Sequence, residues 1–172
     1  MNTDNFRPDT AYTIYIAATP EKVWQALTTA EFSRQYFFGF AVHIETKVGG
    51  LFIVRAPDGS THIEGRVLAC EPPRKLSVTW NVGWPGLVEK LGQTIVTYEI
   101  AQTGDTVRLT MTELHERELS KDILSGGRTG WPAILSSLKS VLETGKPLAI
   151  KMEPPLKMLE ALKKMGIKTP QQ

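Results

Sequence analysis

The chain has 172 residues, of which 41% are hydrophobic and 22% are charged. This composition is typical of a folded globular domain and excludes a disordered or low-complexity chain. The formal charge of +2 comes from 20 basic and 18 acidic residues. So balanced a charge does not predict nucleic-acid binding, and no stretch is apolar enough for stable membrane insertion. Because Cys70 is the single cysteine and residues 1–10 are polar, we expect a cytoplasmic protein without disulfides.

The first part of the chain predicts one strand followed by two short helices. A polar N-terminal segment covers residues 1–10, and the alternating, β-forming residues 11–18 predict the strand. Thr19-Pro20-Glu21 then predicts a helix start, with Thr as N-cap, Pro at the first position and a carboxylate near the positive end of the dipole. A second short helix is predicted over residues 30–36.

Five or six strands are predicted between about residues 40 and 115. Their ranges are 40–46, 49–56, 61–70, 75–82, 93–101 and 106–114. Pro57-Asp58-Gly59 and Thr103-Gly104-Asp105 are turn signals between them. Apolar and polar residues alternate along the ranges. This pattern favours antiparallel strands with one buried and one solvated face.

A long amphipathic helix is predicted from Gly130 to Gly145. One face carries Trp131, Ile134, Leu135, Leu138, Val141 and Leu142. Pro132 suits a first turn, Gly145 suits the left-handed residue after the last turn, and Gly126-Gly127 predicts a loop before the helix. A helix of this kind after a run of strands lays its apolar face on the sheet, and such a layout encloses a cavity.

Two apolar segments lie outside this scheme. The connection over residues 84–91 carries Trp84, Leu87, Val88 and Leu91, which are too apolar for a solvated loop. We predict either a lid over the cavity mouth or an interface with a second subunit, and therefore consider a homodimer. The extension over residues 146–172 contains a short amphipathic helix at about 156–165. Docking of this helix on its own domain or on a symmetric partner is favoured over weak binding to a membrane surface.

Several motifs carry a family resemblance. They are Ala18-Thr19-Pro20-Glu21-Lys22-Val23-Trp24, Val48-Gly49-Gly50-Leu51-Phe52, Gly65-Arg66-Val67, Glu71-Pro72-Pro73-Arg74-Lys75-Leu76, Thr79-Trp80 and Gly130-Trp131. Together they resemble the START-like (SRPBCC, birch-pollen-allergen-type) superfamily, in its branch related to the ATPase activator of the ninety-kilodalton heat-shock chaperone. The resemblance covers about residues 12–145, within a predicted domain over 11–145. It implies an α+β helix-grip fold, in which a curved antiparallel sheet wraps around a long C-terminal helix.

The resemblance also implies a function. We expect non-catalytic binding of a small hydrophobic molecule, of lipid, polyketide or aromatic type, between the sheet and the last helix, with no cofactor. One alternative is a protein-interaction or co-chaperone-like module that contacts a chaperone. The other is a polyketide cyclase or hydrolase in which Glu113, His115 and Tyr98 form the polar set.

Candidate ligand-binding residues follow from the inward phase of the strands and the helix. They are Phe37, Phe52, Val54, Val78, Trp80, Val96, Tyr98, Leu109, Met111, Glu113, His115, Trp131, Leu135 and Leu138. Glu113 and His115 predict either a strand-end ion pair, with Arg128 as an alternative partner of Glu113, or a polar anchor for a ligand. His43 and His62 are predicted to be solvated. No metal site is predicted, because the histidines and the cysteine lack ligand spacing.

Overall fold

The computed structural model describes residues 1–170 of the chain, which form one sheet and five helices. The strands are β1 (Arg7–Ile16), β2 (Ala41–Ile44), β3 (Leu51–Arg55), β4 (Thr61–Glu71), β5 (Lys75–Thr79), β6 (Asn81–Val82), β7 (Thr94–Thr103) and β8 (Thr106–His115). The helices are α1 (Pro20–Thr28), α2 (Ala30–Tyr36), α3 (Leu87–Leu91), α4 (Lys121–Thr144) and α5 (Leu156–Lys164). None of them is long and apolar enough to cross a bilayer in this part of the chain.

The sheet is antiparallel and its strands run in the order β1-β8-β7-β5-β4-β3-β2, with β6 paired to β4. Its buried face packs against α4, α1 and α2 in one hydrophobic core. This arrangement confirms the predicted α+β helix-grip fold, including the two short helices after the first strand.

The N-terminal elements agree with the sequence prediction in type and nearly in position. The Thr19 side chain accepts a hydrogen bond from the Lys22 amide at 3.3 Å, which caps α1, and Pro20 occupies its first turn. The first strand is longer than predicted because it begins at Arg7, within the segment that looked merely polar. Arg7 pairs with His115 across β1 and β8, so the N-terminal residues extend the sheet to the end of β8.

One predicted strand is divided in the structure. The expected strand over residues 75–82 forms β5, which pairs with β4 and β7, and the separate β6, which pairs only with β4. The close approach of Gly65 to Thr79 accompanies this division, since a Cβ on Gly65 would lie 1.8 Å from the Thr79 carbonyl oxygen. Glycine therefore lets β4 serve two neighbours at this bend.

Helix α4 starts earlier than the sequence predicted. It begins at Lys121, and the Ser120 hydroxyl accepts a hydrogen bond from the Ile123 amide as the N-cap. The expectation of a loop at Gly126-Gly127 and of Pro132 in a first turn is therefore wrong, because both lie inside the helix. The end at Gly145, whose φ is 75°, agrees with the prediction.

The predicted apolar face of α4 is buried. Trp131, Ile134, Leu135, Leu138 and Val141 are all in the main core, and Leu142 packs against its margin. Each such burial stabilises the fold by at most about 1.5–3 kcal/mol. The helix is thus held against the main core from Trp131 to Leu142.

A second, smaller core joins the C-terminal extension to the rest of the chain. Its buried members are Leu91, Leu162 and Ile167, with Trp84, Leu87, Leu119, Ile123 and Met158 packed around them. The Lys90 ammonium also donates to the Met165 carbonyl oxygen. The extension therefore docks on its own domain, which is one of the two modes of docking that the sequence predicted.

Candidate functional site

A small enclosed cavity lies between α4 and the buried face of the sheet, beside α1 and α2. Its lining residues are Leu27, Tyr36, Phe37, Val42, Phe52, Trp80, Tyr98, Trp131 and Ile134. Five of the predicted ligand-binding residues are among them: Phe37, Phe52, Trp80, Tyr98 and Trp131. The other apolar candidates, Val54, Val78, Val96, Leu109, Met111, Leu135 and Leu138, are buried in the surrounding core.

Aromatic rings form most of the cavity wall. The Trp80 ring lies 5.1 Å from Trp131, 5.6 Å from Phe52 and 6.1 Å from Phe37, measured between centroids. Tyr98 meets Trp131 edge-on at 6.4 Å. Tilted and edge-on contacts of this kind are the favourable arrangements of aromatic pairs. The rings therefore contact one another directly and leave little empty volume between them.

The cavity is nearly filled in this conformation. Its volume is about 10 Å³, which is what roughly one water molecule needs. The sequence predicted a cavity without indicating whether it is open or filled, and in this conformation six aromatic rings occupy most of it. A ligand of ordinary size enters only if some of these rings move.

Two phenol hydroxyls belong to this otherwise apolar wall. Tyr36 and Tyr98 are buried, and burial raises the pKa of both phenols above the ordinary value. The neighbouring Tyr36 and Glu113 further raise the pKa of Tyr98. Among the described residues, the one buried side-chain nitrogen or oxygen without a hydrogen-bond partner is Trp84 Nε1, and neither tyrosine hydroxyl is of that kind. Because their pKa values are raised, both phenols stay protonated at neutral pH.

Glu113 and His115 lie behind the cavity wall and are buried, as the phase of their strand predicted. One carboxylate oxygen of Glu113 accepts from the Trp131 indole N–H at 2.6 Å. The other lies 3.1 Å from Nε2 of His115, whose Nδ1 is 3.1 Å from the Thr94 hydroxyl. Both oxygens of Glu113 are therefore engaged by protein groups, and the indole that lines the cavity is held by them.

Asp9 completes this polar cluster, although it lies in the N-terminal segment that carried no sequence signal. Its carboxylate is 3.3 Å from the Arg128 guanidinium and 4.0 Å from Nε2 of His115. His115, not Arg128, is the partner of Glu113, which decides between the two predicted pairings. Asp9, Glu113 and His115 each offer one ligand-type atom within 4.8 Å of the others. Internal hydrogen bonds and ion pairs account for this closeness.

The remaining histidines have different environments. His43 is exposed on β2, as predicted. The prediction of a solvated His62 is wrong, because its ring packs on Phe40 with 4.8 Å between centroids and is half-buried. Desolvation at this position lowers the pKa of His62.

The connection over residues 84–91 has a partner that neither sequence interpretation included. Trp84, Leu87 and Leu91 pack in the smaller core with α5, and not over the cavity. Residues 84–91 and the C-terminal extension therefore bury each other's apolar side chains. Neither a lid over the cavity nor a second subunit is needed to bury them. Val88 and Trp84 also line an open groove of about 460 Å³ beside β4 and β6. That groove is mixed in character, with Glu64, Arg66 and Glu89 along it.

Sequence reasoning missed Leu27, Tyr36, Val42 and Ile134 in the cavity wall. Ile134 was assigned to the core-facing stripe of the last helix, and Tyr36 begins the aromatic run that ends at Phe40, so both carried a usable signal. Leu27 lies on the apolar side of α1. Thr94, which contacts His115 behind the wall, had no signal in the sequence, because this contact depends on the register of β7 against β8.

The comparisons with solved structures agree on the fold. A protein MLL2253 from Mesorhizobium loti is 27% identical, with a TM-score of 0.63 over 77% of this chain and 96% of that one. A conserved protein of unknown function, EF2215 from Enterococcus faecalis, is 21% identical, with a TM-score of 0.64 over 94% of this chain and 89% of that one. The solution structure of the Aha1 dimer from Colwellia psychrerythraea is 23% identical, with a TM-score of 0.64 over 79% and 96%.

The sequence comparison is more specific. No curated protein sequence matches this chain. Residues 17–143 match the family described as Activator of Hsp90 ATPase homolog 1-like protein. That range runs from the end of β1 through most of α4, and so includes the cavity wall and the Glu113–His115 pair. The chain belongs to the Activator of Hsp90 ATPase homolog 1-like family, within the START-like superfamily.

Proposed function

We propose that this protein binds a small, mainly apolar molecule in the aromatic cavity between α4 and the sheet, without catalysis. The observation that carries the proposal is the composition of the wall. Its nine residues include Tyr36, Phe37, Phe52, Trp80, Tyr98 and Trp131, and none is charged. Ligand sites are usually lined in this way, with apolar and aromatic walls and a few polar groups.

The closed state of the cavity shapes the proposal. Since the present volume admits about one water molecule, binding must be coupled to movement of wall residues. The segment after α2 is suited to such movement, because Phe38 has a φ of 51° and the adjoining Gly39 a φ of 89°. A non-glycine residue in the left-handed region is strained, so this turn is the segment beside the wall that we expect to move. The apparent affinity for a ligand equals the affinity of the open state multiplied by the fraction of molecules that are open.

Native mass spectrometry of the purified protein, followed by thermal unfolding with the recovered compound, tests the proposal. A fitting ligand at a hundred times its Kd adds about 2.7 kcal/mol to stability. For a domain of this size, the melting temperature then rises by roughly 5–10 °C.

A variant pair localises the effect. Phe37→Leu enlarges the cavity and should increase affinity, whereas Val107→Ala is a matched core truncation outside the wall and should not. If both variants change affinity equally, or no small molecule stabilises the protein, the proposal fails.

Hydrolysis is a second candidate, favoured by one specific observation. The Thr94 hydroxyl, the His115 imidazole and the Glu113 carboxylate form a continuous hydrogen-bonded chain. A hydroxyl, a base and an acid in series are the parts of a nucleophilic relay. We rank this candidate second because Glu113 also accepts from Trp131 and the chain lies behind the cavity wall.

Protein contacts are the third candidate. The family description and the Aha1 dimer support contact with a chaperone or with a second copy of this chain. Sedimentation velocity at several protein concentrations tests the homodimer. Stimulation of a chaperone's ATPase activity by the intact chain tests the co-chaperone role.

A further inference from the structure

We propose that Asp9, Glu113 and His115 bind a divalent transition-metal ion of the zinc type, behind the aromatic wall. The three side chains come from the paired strands β1 and β8. Oδ2 of Asp9 lies 4.0 Å from Nε2 of His115, and Oε1 of Glu113 lies 3.1 Å from the same nitrogen. The ligand-type atoms of the three groups are all within 4.8 Å of one another. The hydrogen bonds and ion pairs that hold the cluster together thus also place three metal-ligating atoms around one point.

These distances suit a small metal ion. Bonds of about 2.0–2.2 Å place two ligand atoms of a tetrahedral zinc site about 3.4 Å apart. The two distances to Nε2 lie on either side of that value, so small side-chain rotations bring the three atoms onto one ion. Zinc accepts an imidazole together with carboxylates, whereas magnesium prefers oxygen ligands. Three protein ligands leave a fourth position to water.

The two carboxylates each have an outer partner on α4. The Trp131 indole N–H donates to Oε2 of Glu113 at 2.6 Å, and the Arg128 guanidinium lies 3.3 Å from Oδ1 of Asp9. Metal-ligating carboxylates are generally held in this way by a second group, which fixes their orientation. Arg128 is 47% exposed and its one positive charge faces two carboxylates, so the cluster keeps a net negative charge for a cation.

The imidazole has an outer partner as well. Nδ1 of His115 lies 3.1 Å from the Thr94 hydroxyl. With its proton on Nε2 the ring donates to Glu113, and with its proton on Nδ1 it donates to Thr94 and frees the Nε2 lone pair. The second tautomer is the one that ligates a metal through Nε2. Binding therefore needs a change of tautomer and no change of charge on the ring.

The backbone of β1 supports the same site. Pro8 pairs with Leu114 and Thr10 pairs with Glu113, so Asp9 is the extra residue of a β-bulge. Bulges re-aim side chains and are frequent next to functional sites. The Asp9 side chain is 20% exposed, which gives an ion a path from solvent to the buried pair.

Titration calorimetry of the intact chain tests the proposal, after dialysis against a chelator. The probes are zinc chloride and, separately, magnesium chloride. We expect one zinc ion per chain, bound about 100-fold more tightly than magnesium because of the imidazole ligand. The indole N–H resonance of Trp131 should shift on zinc addition, since its acceptor Glu113 becomes a ligand.

Four variants assign the ion to this cluster. Asp9→Asn and His115→Ala each remove one ligand and should abolish measurable zinc binding. Thr94→Val removes only the outer partner of the imidazole and should weaken binding by about 10–100-fold. His43→Ala removes an exposed histidine on β2 and should change nothing. Thermal unfolding checks that each variant is folded, and Asp9→Asn, which conserves the shape of the side chain, suffices alone.

The opposite results are equally clear. Absence of zinc binding, affinity unchanged in Asp9→Asn, or magnesium bound as tightly as zinc would each overturn the proposal. None of these outcomes bears on the apolar ligand of the aromatic cavity, because the metal site requires no movement of the cavity wall.

Discussion

Three glycines inside α4 should respond differently to alanine substitution, because their surroundings differ. Alanine is favoured over glycine in a helix interior by about 1 kcal/mol. A Cβ added to Gly130 would lie 3.4 Å from the Met152 methyl group, which is an ordinary contact. Gly130→Ala should therefore stabilise the protein by about 1 kcal/mol and raise its melting temperature by roughly 2–4 °C.

The same change at Gly127 should be destabilising. A Cβ there would lie 2.9 Å from a Glu113 carboxylate oxygen, and that carboxylate is held by Trp131 and His115. Displacing it weakens hydrogen bonds to a buried charged group, each of which contributes about 1.5–3 kcal/mol. This loss exceeds the gain in helix propensity, so we expect net destabilisation of about 1–2 kcal/mol.

Gly126 provides the internal check. Its added Cβ would lie 2.2 Å from the sulfur of Met158, so Gly126→Ala must displace that side chain or lift α5. The further change Met158→Ala should restore part of the helix-propensity gain, which a double-mutant cycle measures by chemical denaturation. If all three alanine variants shift the melting temperature alike, the contacts do not explain the glycines and the reasoning is refuted.

Three other predictions concern the extension and the polar groups. Removing residues 154–172 should lower the free energy of unfolding by about 3–6 kcal/mol and increase dye binding to exposed apolar surface, with the fold retained in circular dichroism. Burial lowers the folded-state pKa of His62, so on acidification the unfolded state binds a proton at this histidine before the folded state does. The free energy of unfolding should therefore fall as the pH drops below about 6.5. His62→Phe should remove this part of the loss. Glu113→Gln and His115→Ala should leave the protein folded without loss of any ester hydrolysis, and a fall by orders of magnitude would favour the hydrolase candidate.

Local signals predicted most of the elements. The Thr19-Pro20-Glu21 start, the turn at Gly104-Asp105 and the stop at Gly145 depend on backbone preferences of the residues themselves, and all are present in the structure. Alternation along the strands predicted the buried phase of Glu113 and His115, because a strand's side chains alternate strictly between faces.

The failures share a physical cause, which is contact between segments distant in sequence. Gly126 and Gly127 look like loop residues until Met158 and Glu113 are placed beside them. Residues 84–91 and α5 are each apolar without an obvious partner, and their packing on each other follows only from the folded chain. Hydrophobic periodicity and helix-capping residues do not encode such long-range pairings, so local sequence patterns do not predict them.

Glu113 shows why predicted position and predicted role are separate questions. Its burial followed from strand phase, and an anchor for a ligand was then a reasonable hypothesis for its carboxylate. The structure instead gives both oxygens to Trp131 and His115. A carboxylate so engaged gains little from a further donor, while breaking either bond leaves buried charge less well paired. Its physical effect is to hold the Trp131 indole in the cavity wall.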